Sequence, residues 1–248
     1  MKITSNTNSL IKKYYSLKDK KNRDQFNMFL IEGIDNILEA YRSNIVSDIL
    51  FYDELPIELK NLNVNYQEVS ENIIEKLSFN KSYQNYIAIG KISHKDFILS
   101  NCILAFDGVQ DPGNGGSLIR SAKAFNFNTV LVSNDSVDIY NDKFIKASKG
   151  YNFSINLKRC NLKEELLNLK KLRYVLVGAD VHQKSSSLND FLIDEKIVLV
   201  VGNEGQGLSK EIKEILDKYI YIEMNSDVES LNVAIAGSII MHKIFVKK

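Results

Sequence analysis

The sequence predicts an α/β protein of two domains, and two observations carry this prediction. Over residues 101–248, short continuous apolar segments alternate with helical patterns, which is typical of a parallel sheet covered by helices on both faces. Over residues 1–90, strand-like and helical segments follow one another in a mixed order. The polar stretch KISHKDFILS at 91–100 separates the two patterns. We therefore expect domains at residues 1–95 and 96–248.

Each element of the first domain rests on a short hydrophobic pattern. Helix candidates place their apolar residues at helical spacing, whereas strand candidates are rich in β-branched and aromatic residues. The expected strands are MFLIEG (28–33), SDILFY (47–52), VNYQEV (64–69) and YIAIG (86–90). The expected helices are IDNILEAYR (34–42) and SENIIEKL (70–77). This order describes a compact α/β domain of mixed topology.

The second domain shows a regular alternation of strand and helix. The expected strands are CILAF (102–106), TVLV (129–132), YVLVGA (174–179), IVLVVG (197–202) and YIYIE (219–223). The expected helices are LIRSAKAF (118–125), LKEELLNLKKL (162–172), SKEIKEILDK (209–218) and LNVAIAGSIIMHKIF (231–245). The last of these is apolar nearly all round, so we expect it in a core or a subunit interface. In parallel sheets, ligands bind at the loops beyond the carboxyl ends of the strands.

The composition excludes several classes of protein. Hydrophobic residues at 44% and charged residues at 25% are typical of a globular protein, not of a disordered one. No apolar run reaches the length of a membrane span, and the N-terminus lacks the apolar stretch of a secretory signal. Two cysteines are too few for a disulfide framework or a structural zinc site. We therefore expect a soluble protein of a reducing cytoplasm, without a metal.

The charge is unevenly distributed although its net value is only +1. Residues 1–23 carry six lysines and Arg23 against Asp19 alone. Such a basic arm can neutralise phosphates and steer an RNA toward the protein. A solvated helix face gives the same charge pattern, and charge alone favours that interpretation.

The first unusual loop is DPGNGGSLIR at 111–120, after the first strand of the second domain. Its three glycines predict tight turns that let a partner approach the backbone, with Pro112 stiffening the entry. Arg120 is expected about one turn into the following helix. A cation there opposes the helix macrodipole, which favours a role toward an anion or a reacting group. The alternative is an ordinary turn with a surface arginine.

Two further loops follow later strands. GNEGQG at 202–207 exposes backbone around one carboxylate, Glu204, but it has the glycine order of neither a dinucleotide fingerprint nor a phosphate loop. MNSDVESLNVAIAG at 224–237 places Ser230 and Asn232 at a helix start, where capping of the helix is the alternative interpretation. Each loop alone is a weak signal, and the three together indicate a functional site.

The three loops carry a family resemblance. The set D-P-G-N-x-G-x-x-x-R, then G-N-E-G-x-G-L-S, then E-S-L-N-V-A resembles the three motifs of the SpoU (TrmH-like) RNA 2'-O-ribose methyltransferases of the SPOUT superfamily. The N-terminal stretch ITSNTNSLIKKYYSLKDKKNRDQFNMFLIEG resembles the family's substrate-binding extension, a domain like ribosomal protein L30e. This resemblance implies an α/β SPOUT domain with a parallel sheet and a deep trefoil knot, after an L30e-like α/β domain.

The resemblance also implies an activity. It implies methylation of a ribose 2'-hydroxyl in structured RNA, with 23S ribosomal RNA as the favoured substrate and S-adenosylmethionine as the cofactor. It implies a homodimer with the active site at the subunit interface, and neither metal nor membrane. The catalytic positions implied by the resemblance are Asn114, Arg120, Glu204, Ser230 and Asn232. The implied cofactor-binding positions are Gly202, Ile222 and Leu231. His182, in GADVHQKSSSL, is a surface histidine or a neighbour of the cofactor.

One mechanistic hypothesis and three alternatives follow. Guanidinium stays protonated, with a pKa above about 12, so we expect Arg120 to stabilise charge and a phosphate or water to accept the proton. In this hypothesis Asn114 orients Arg120, while the residues of the other two loops position both Arg120 and the ribose. The alternatives are a transfer-RNA methyltransferase, a non-catalytic RNA-binding protein of ribosome assembly, and a nucleotide-dependent enzyme of doubly-wound type. The last needs a phosphate-binding glycine loop that the sequence does not have.

Overall fold

The computed structural model describes residues 2–92, 97–180, 186–192 and 194–247. Its helices in chain order are α1 (Ser9–Ser16), α2 (Lys20–Phe26), α3 (Ile34–Arg42), α4 (Ile57–Lys60), α5 (Glu71–Leu77), α6 (Pro112–Ala124), α7 (Asp142–Ser148), α8 (Leu162–Lys171), α9 (Lys210–Lys213) and α10 (Val233–Lys247). Its strands are β1 (Met28–Ile31), β2 (Val46–Phe51), β3 (Asn65–Glu68), β4 (Tyr86–Lys91), β5 (Cys102–Asp107), β6 (Thr129–Ser133), β7 (Asn156–Cys160), β8 (Val175–Ala179), β9 (Ser186–Ser187), β10 (Ile197–Gly202) and β11 (Lys218–Tyr221).

The chain divides into two compact units. Unit 1 comprises Met1–Lys95 together with Asp138–Ser154, and unit 2 comprises Asp96–Val137 together with Ile155–Lys248. The sequence pattern treats each domain as one continuous stretch, whereas the segment that carries α7 groups with unit 1. Within unit 1, Arg23 forms an ion pair with Asp138 of this segment, with Nη2 and Oδ2 2.5 Å apart.

Unit 1 is built on a four-stranded sheet with the strand order β1-β4-β2-β3. Strand β4 runs antiparallel to both of its neighbours, and β3 lies parallel to β2. The apolar face of α1 is buried through Ile11 and Tyr14, and the Asn8 side chain caps this helix by accepting from the Leu10 amide at 2.9 Å. Both sides of the sheet carry buried apolar clusters, so unit 1 has a core of its own.

Unit 2 contains a seven-stranded sheet with the order β7-β6-β5-β10-β8-β11-β9, and every pair in it is parallel. The predicted α/β fold with a parallel sheet is therefore confirmed. Strands β5 and β10 are buried along their whole length, as their continuous apolar sequences indicate. Strand β7 is one that the hydrophobic pattern does not predict. Its sequence NLKRC is half-buried because it lies at the edge of the sheet.

The expected glycine turn at 111–120 is wrong, because helix α6 already begins at Pro112. Asp111 caps it by accepting from the Asn114 amide at 2.8 Å, and a proline at the first helical position needs no hydrogen bond. Arg120 consequently lies in the third turn of α6, beyond the reach of the macrodipole's positive end. In the loops that follow β5 and β10, the glycines with left-handed backbone are Gly108 and Gly207, with φ of 72° and 69°.

None of the helices within the described ranges is both long and apolar enough to cross a membrane.

Candidate active site

The site begins where the carboxyl ends of β5 and β10 lie side by side. In the parallel register Gly202 pairs with Asp107, so the loops that follow these strands are neighbours. The Asn203 side chain links them. Its Nδ2 donates to the Gly108 carbonyl at 2.8 Å, and its Oδ1 accepts from the Gly205 amide at 2.9 Å. Loops distant in the sequence are thereby held as one structure.

The second loop folds back tightly on itself. The amides of Asn203 and Gly207 each donate to the other residue's carbonyl at 2.9 Å. A Cβ atom at Gly202 would lie 2.3 Å from the Gly207 carbonyl carbon and 2.4 Å from the Leu208 nitrogen. Backbone atoms cannot swing aside as a flexible side chain can. Position 202 therefore requires glycine for this close approach of backbone to backbone.

Glu204 is held by donors from the first loop. Its carboxylate accepts from the Gln110 amide at 3.2 Å, the Asp111 amide at 3.1 Å and the Asn114 Nδ2 at 3.1 Å. Partial burial alone would raise the pKa of this carboxyl. The hydrogen bonds from Asn114 and from the backbone outweigh burial, so the Glu204 pKa lies below its ordinary value. Glu204 is therefore an anion at neutral pH.

Asn114 stands between two partners that fix the orientation of its amide. Its Nδ2 donates to Glu204, and its Oδ1 accepts from Asn232 Nδ2 at 2.9 Å. The Asn232 Oδ1 in turn accepts from the Ala234 amide at 2.9 Å, which makes Asn232 the N-cap of α10. Three of the predicted residues, one from each loop, thus form one hydrogen-bonded chain, which we call the Glu204–Asn114–Asn232 chain.

The chain lies in the wall of a cavity of about 500 Å³, a volume typical of cofactor sites. Residues from all three loops line it. The lining residues include Asn114, Gly202, Glu204, Ile222, Ser230, Leu231 and Asn232. At another part of the wall, Lys213 Nζ pairs with Asp180 Oδ2 at 3.2 Å. The mixture of glycine backbone, apolar side chains and one ion pair suits a ligand with a flat apolar part and a charged part.

Two of the predicted catalytic residues lie outside the hydrogen-bonded chain. Ser230 lines the cavity but does not cap α10, since Asn232 does. Arg120 is exposed on the helix that carries Asn114, and within the described ranges its guanidinium has neither a hydrogen bond nor an ion pair. The structure therefore shows Glu204 and Asn232 holding Asn114, whereas the sequence led us to expect them to position Arg120. His182 lies outside the described residues.

Sequence reasoning missed two residues that shape the site. Asn203 ties the loops together, and Asp107 accepts from the Ser209 amide at 2.6 Å, which anchors the far end of the second loop. Asp107 is buried, and this burial raises the pKa of its carboxyl above the ordinary value. A carboxylate at the end of an otherwise apolar strand is the signal that could have identified it. Among the described residues, no three His, Cys, Asp or Glu side chains form a metal-binding group.

Glu204→Gln is expected to destabilise the protein in a pH-dependent way. A carboxyl whose folded pKa is lowered contributes stability above its unfolded pKa and loses that contribution as the pH falls through the folded pKa. The difference in unfolding free energy between Glu204→Gln and wild type should therefore be present at pH 7 and vanish in acid below the ordinary glutamate range. Denaturant titrations at both pH values measure it. The exposed Glu214→Gln is the matched control, and an equal difference for Glu204→Gln at both pH values would contradict the prediction.

Two family models match the chain. The SpoU rRNA Methylase family matches residues 101–242, which contain all the loops of the site. The MRM3-like substrate binding domain matches residues 8–88, which lie in unit 1. The two matched ranges do not overlap.

Individual relatives extend over almost the whole chain. The chain is 31% identical to the 23S rRNA (guanosine(2553)-2'-O)-methyltransferase RlmP of Bacillus subtilis strain 168, with 97% of each chain covered. A crystal structure of an RNA 2'-O ribose methyltransferase superposes with a TM-score of 0.84 at 28% identity, over 100% of this chain and 99% of that one. The SpoU methyltransferase AviRb from Streptomyces viridochromogenes, solved in complex with AdoMet, has a TM-score of 0.85 at 25% identity, over 97% and 98%.

The resemblance carried by the three loops is thereby confirmed. The family model spans more than half of the chain, and a relative above 30% identity aligns with nearly all of it. The loops that meet beyond the carboxyl ends of β5 and β10 lie within the matched region. This chain is a member of the SpoU rRNA methylase family.

Proposed function

We propose that this protein transfers a methyl group from S-adenosylmethionine to a ribose 2'-hydroxyl of 23S ribosomal RNA. The observation that carries the proposal is the Glu204–Asn114–Asn232 chain in the wall of the cavity, in a member of the SpoU family. The substrate follows the relatives, because RlmP of Bacillus subtilis acts on 23S rRNA. The match of unit 1 to a substrate-binding domain supports a large RNA over a small molecule.

The cavity fits the cofactor through its backbone and its shape. The second loop lines a space of about 500 Å³ along residues 202–208, and the close approach at Gly202 sets its backbone. Ile222 and Leu231 supply apolar walls for a flat ring. When bound there, S-adenosylmethionine supplies an electrophilic methyl group. AviRb, which shares this fold, was solved with AdoMet.

The residues of this chain position the ribose and manage charge. Beyond its two hydrogen bonds, the Asn114 amide keeps one N–H and one lone pair for the ribose, and Glu204 and Asn232 hold it in one orientation. Arg120 cannot serve as a base, because a guanidinium stays protonated at any physiological pH. Its role is electrostatic, toward the anionic RNA and the developing alkoxide. The hydroxyl proton leaves to water or to an RNA phosphate.

We also propose a homodimer, in which α10 forms part of the interface. Four large apolar side chains of α10 are exposed; Phe245 lies to one side, and the other three are Ile235 at 54%, Ile239 at 39% and Val246 at 64%. Their spacing places them along one face of the helix, and a stripe of this kind is costly in water unless a partner covers it. The proposed interface then adjoins the site, because Asn232 of the site is the N-cap of α10.

The double variant Ile235→Lys, Ile239→Lys is expected to be monomeric, since two charges in an apolar interface remove the gain from burial. Light scattering at micromolar concentration measures the mass. Leu192→Lys is the control, because Leu192 is 84% exposed and lies on a different segment of unit 2. A double variant with the mass of a dimer would contradict this interface.

We further propose that unit 2 contains the trefoil knot of the SPOUT fold. The strand order supports it. Strand β10 follows both β5 and β8 in the sequence, yet it lies between them in the sheet. Helix α10 packs against α6. A chain that inserts late elements between earlier ones has the connectivity from which a threaded end can arise.

The test of the activity is label transfer from S-adenosylmethionine carrying a radioactive methyl group. The substrates are unmodified 23S rRNA made by transcription and, in parallel, unmodified transfer RNA. We expect label in the 23S rRNA, at one nucleotide whose 3' bond resists alkaline cleavage, because a methylated 2'-oxygen cannot attack the phosphate. Label in transfer RNA alone would overturn the proposed substrate, and no label in either RNA would overturn the activity.

A further inference from the structure

A second cavity, of about 250 Å³, lies within unit 1. It opens between the start of α3 and the segment that precedes β4. Its volume falls below the range of about 300–1,000 Å³ that is typical for whole small-molecule ligands. This size favours one part of a larger molecule over a free metabolite. The site described above lies wholly in unit 2, so this cavity is separate from it.

The floor of the cavity is rigid and its charge is compensated. The Glu32 carboxylate accepts from the Phe79 amide at 2.9 Å and from Asn80 Nδ2 at 2.5 Å, and it pairs with Lys146 Nζ at 3.1 Å. These three contacts connect the residues just before α3 with the segment before β4 and with helix α7. A saturated carboxylate of this kind shapes the floor and leaves no strong charge to repel an RNA.

The mouth of the cavity differs from its floor, because the polar side chains at the mouth are available to a ligand. Ser82 and Gln84 line the mouth, and the exposed Lys81 lies between Ser82 and Asn80 in the chain. Within the residues that the structure describes, the side chains of Lys81, Ser82 and Gln84 make no hydrogen bond or ion pair. They supply a cation, a hydroxyl and a carboxamide, which are groups that bind phosphates and the edges of bases.

One acceptor in the wall also lacks a partner. Asn36 is only 6% exposed, and its Nδ2 donates to the Glu32 carbonyl at 2.7 Å. Its buried Oδ1 accepts no hydrogen bond from any described residue. A buried acceptor without a donor is costly, and an N–H group brought by a ligand would satisfy it.

Cations stand near the cavity on the same unit. Lys18 Nζ donates to the carbonyls of Lys76 and Ser78, at 2.8 and 2.7 Å, which holds a positive charge beside the cavity wall. Lys76 Nζ lies over the Tyr15 ring, 4.9 Å from its centroid. Lys81 adds an exposed cation beside the mouth, where it can pair with a phosphate of a nucleic-acid backbone.

We propose that this cavity takes one unpaired base of the RNA substrate, with Lys81 on a flanking phosphate and Gln84 on the edge of the base. The inference rests on the proposed function and names the part of the RNA that unit 1 recognises. Tyr83 and Tyr86 in the wall provide flat apolar surface for the base. A base enters such a cavity only where it is unstacked and unpaired, which makes the interaction selective for loops and bulges.

The test measures binding by the full-length protein without cofactor, using 23S rRNA made by transcription and a fully paired RNA duplex. Gln84→Ala should weaken binding of the 23S rRNA about 5- to 100-fold, the range for loss of a good base contact, and leave duplex binding unchanged. Lys81→Gln should weaken binding of both RNAs and reduce the slope of log affinity against log salt by about 0.7–0.9. Lys91→Gln is the control, because Lys91 lies at the far end of β4 in the same unit.

The outcomes separate this inference from the proposed function. Wild-type affinity of Gln84→Ala for the 23S rRNA overturns the base site, and so does an equal loss on the duplex. Gln84 is exposed, and its side chain has no hydrogen bond or ion pair within the described residues, so its loss should leave the fold intact, which an unchanged thermal midpoint verifies. A wild-type protein that shows the expected binding pattern but transfers no methyl group contradicts the proposed function alone.

Discussion

Gly202→Ala is expected to abolish measurable binding of S-adenosylmethionine and to lower methyl transfer by about 100-fold or more. The added Cβ would stand 2.3 Å from the Gly207 carbonyl carbon, so the second loop cannot keep its backbone pairing. A forced shift of this kind costs about 1–3 kcal/mol of stability. It also moves Glu204, and with it the orientation of Asn114. Calorimetric titration measures the loss of cofactor binding, and thermal unfolding measures the loss of stability.

Gly205→Ala is the matched control for this substitution. Gly205 lies in the same loop, but the nearest atom to an added Cβ is Asn203 Oδ1 at 3.7 Å, an ordinary van der Waals contact. We expect it to bind the cofactor as wild type does. Cofactor affinity of Gly202→Ala within a few fold of the Gly205→Ala value would contradict the argument that the loop's backbone forms the site.

Arg120→Ala is expected to lower the methyl-transfer rate by about 100- to 1,000-fold while cofactor affinity stays unchanged. The magnitude is that of losing one charged group that stabilises a transition state. Cofactor affinity is spared because Arg120 is not among the described residues that line the cavity. Single-turnover rates at saturating RNA separate the chemical step from RNA binding.

Two companions make the arginine experiment specific. Lys123→Ala removes a cation from the same helix. It should change the rate little, because Arg120 acts from its own position and not through the net charge of α6. Arg120→Lys keeps a charge but loses the planar guanidinium group. It should lower the rate by a factor that is the same at every pH. A pH–rate profile that shifts in Arg120→Lys would indicate that the side chain takes part in proton transfer and would overturn the electrostatic role.

Much of the fold could be predicted from hydrophobic patterning. The central strands β5 and β10 are apolar throughout because both faces are covered, and the sequence shows this directly. The polar edge strand β7 could not be predicted this way, since its burial is partial. Helix α6 was missed at its start because glycine is a poor helix former in isolation. Here Asp111 and Pro112 supply the start that propensity does not.

The site was predictable in its residue types and not in its connections. Glu204 and Asn232 stand out because polar residues follow a buried strand or precede a buried helix, whereas Asn114 is implied by the family resemblance. Their arrangement into one chain depends on the adjacency of β5 and β10, and sequence reasoning does not establish strand order. Asn203 was overlooked because its role is to bond backbone groups of two loops. A pattern of side chains does not reveal contacts of that kind.

The hydrogen bond between Asn114 and Asn232 has a consequence for the order in which the site forms during synthesis. These two residues are 118 positions apart, and the second is followed directly by the last helix. Contacts between distant parts of a chain form slowly, because the loop between them must close first. On the ribosome, a nascent chain holds the first two loops well before the partner of Asn114 has emerged. The Glu204–Asn114–Asn232 chain can therefore close only late in the folding of the second unit.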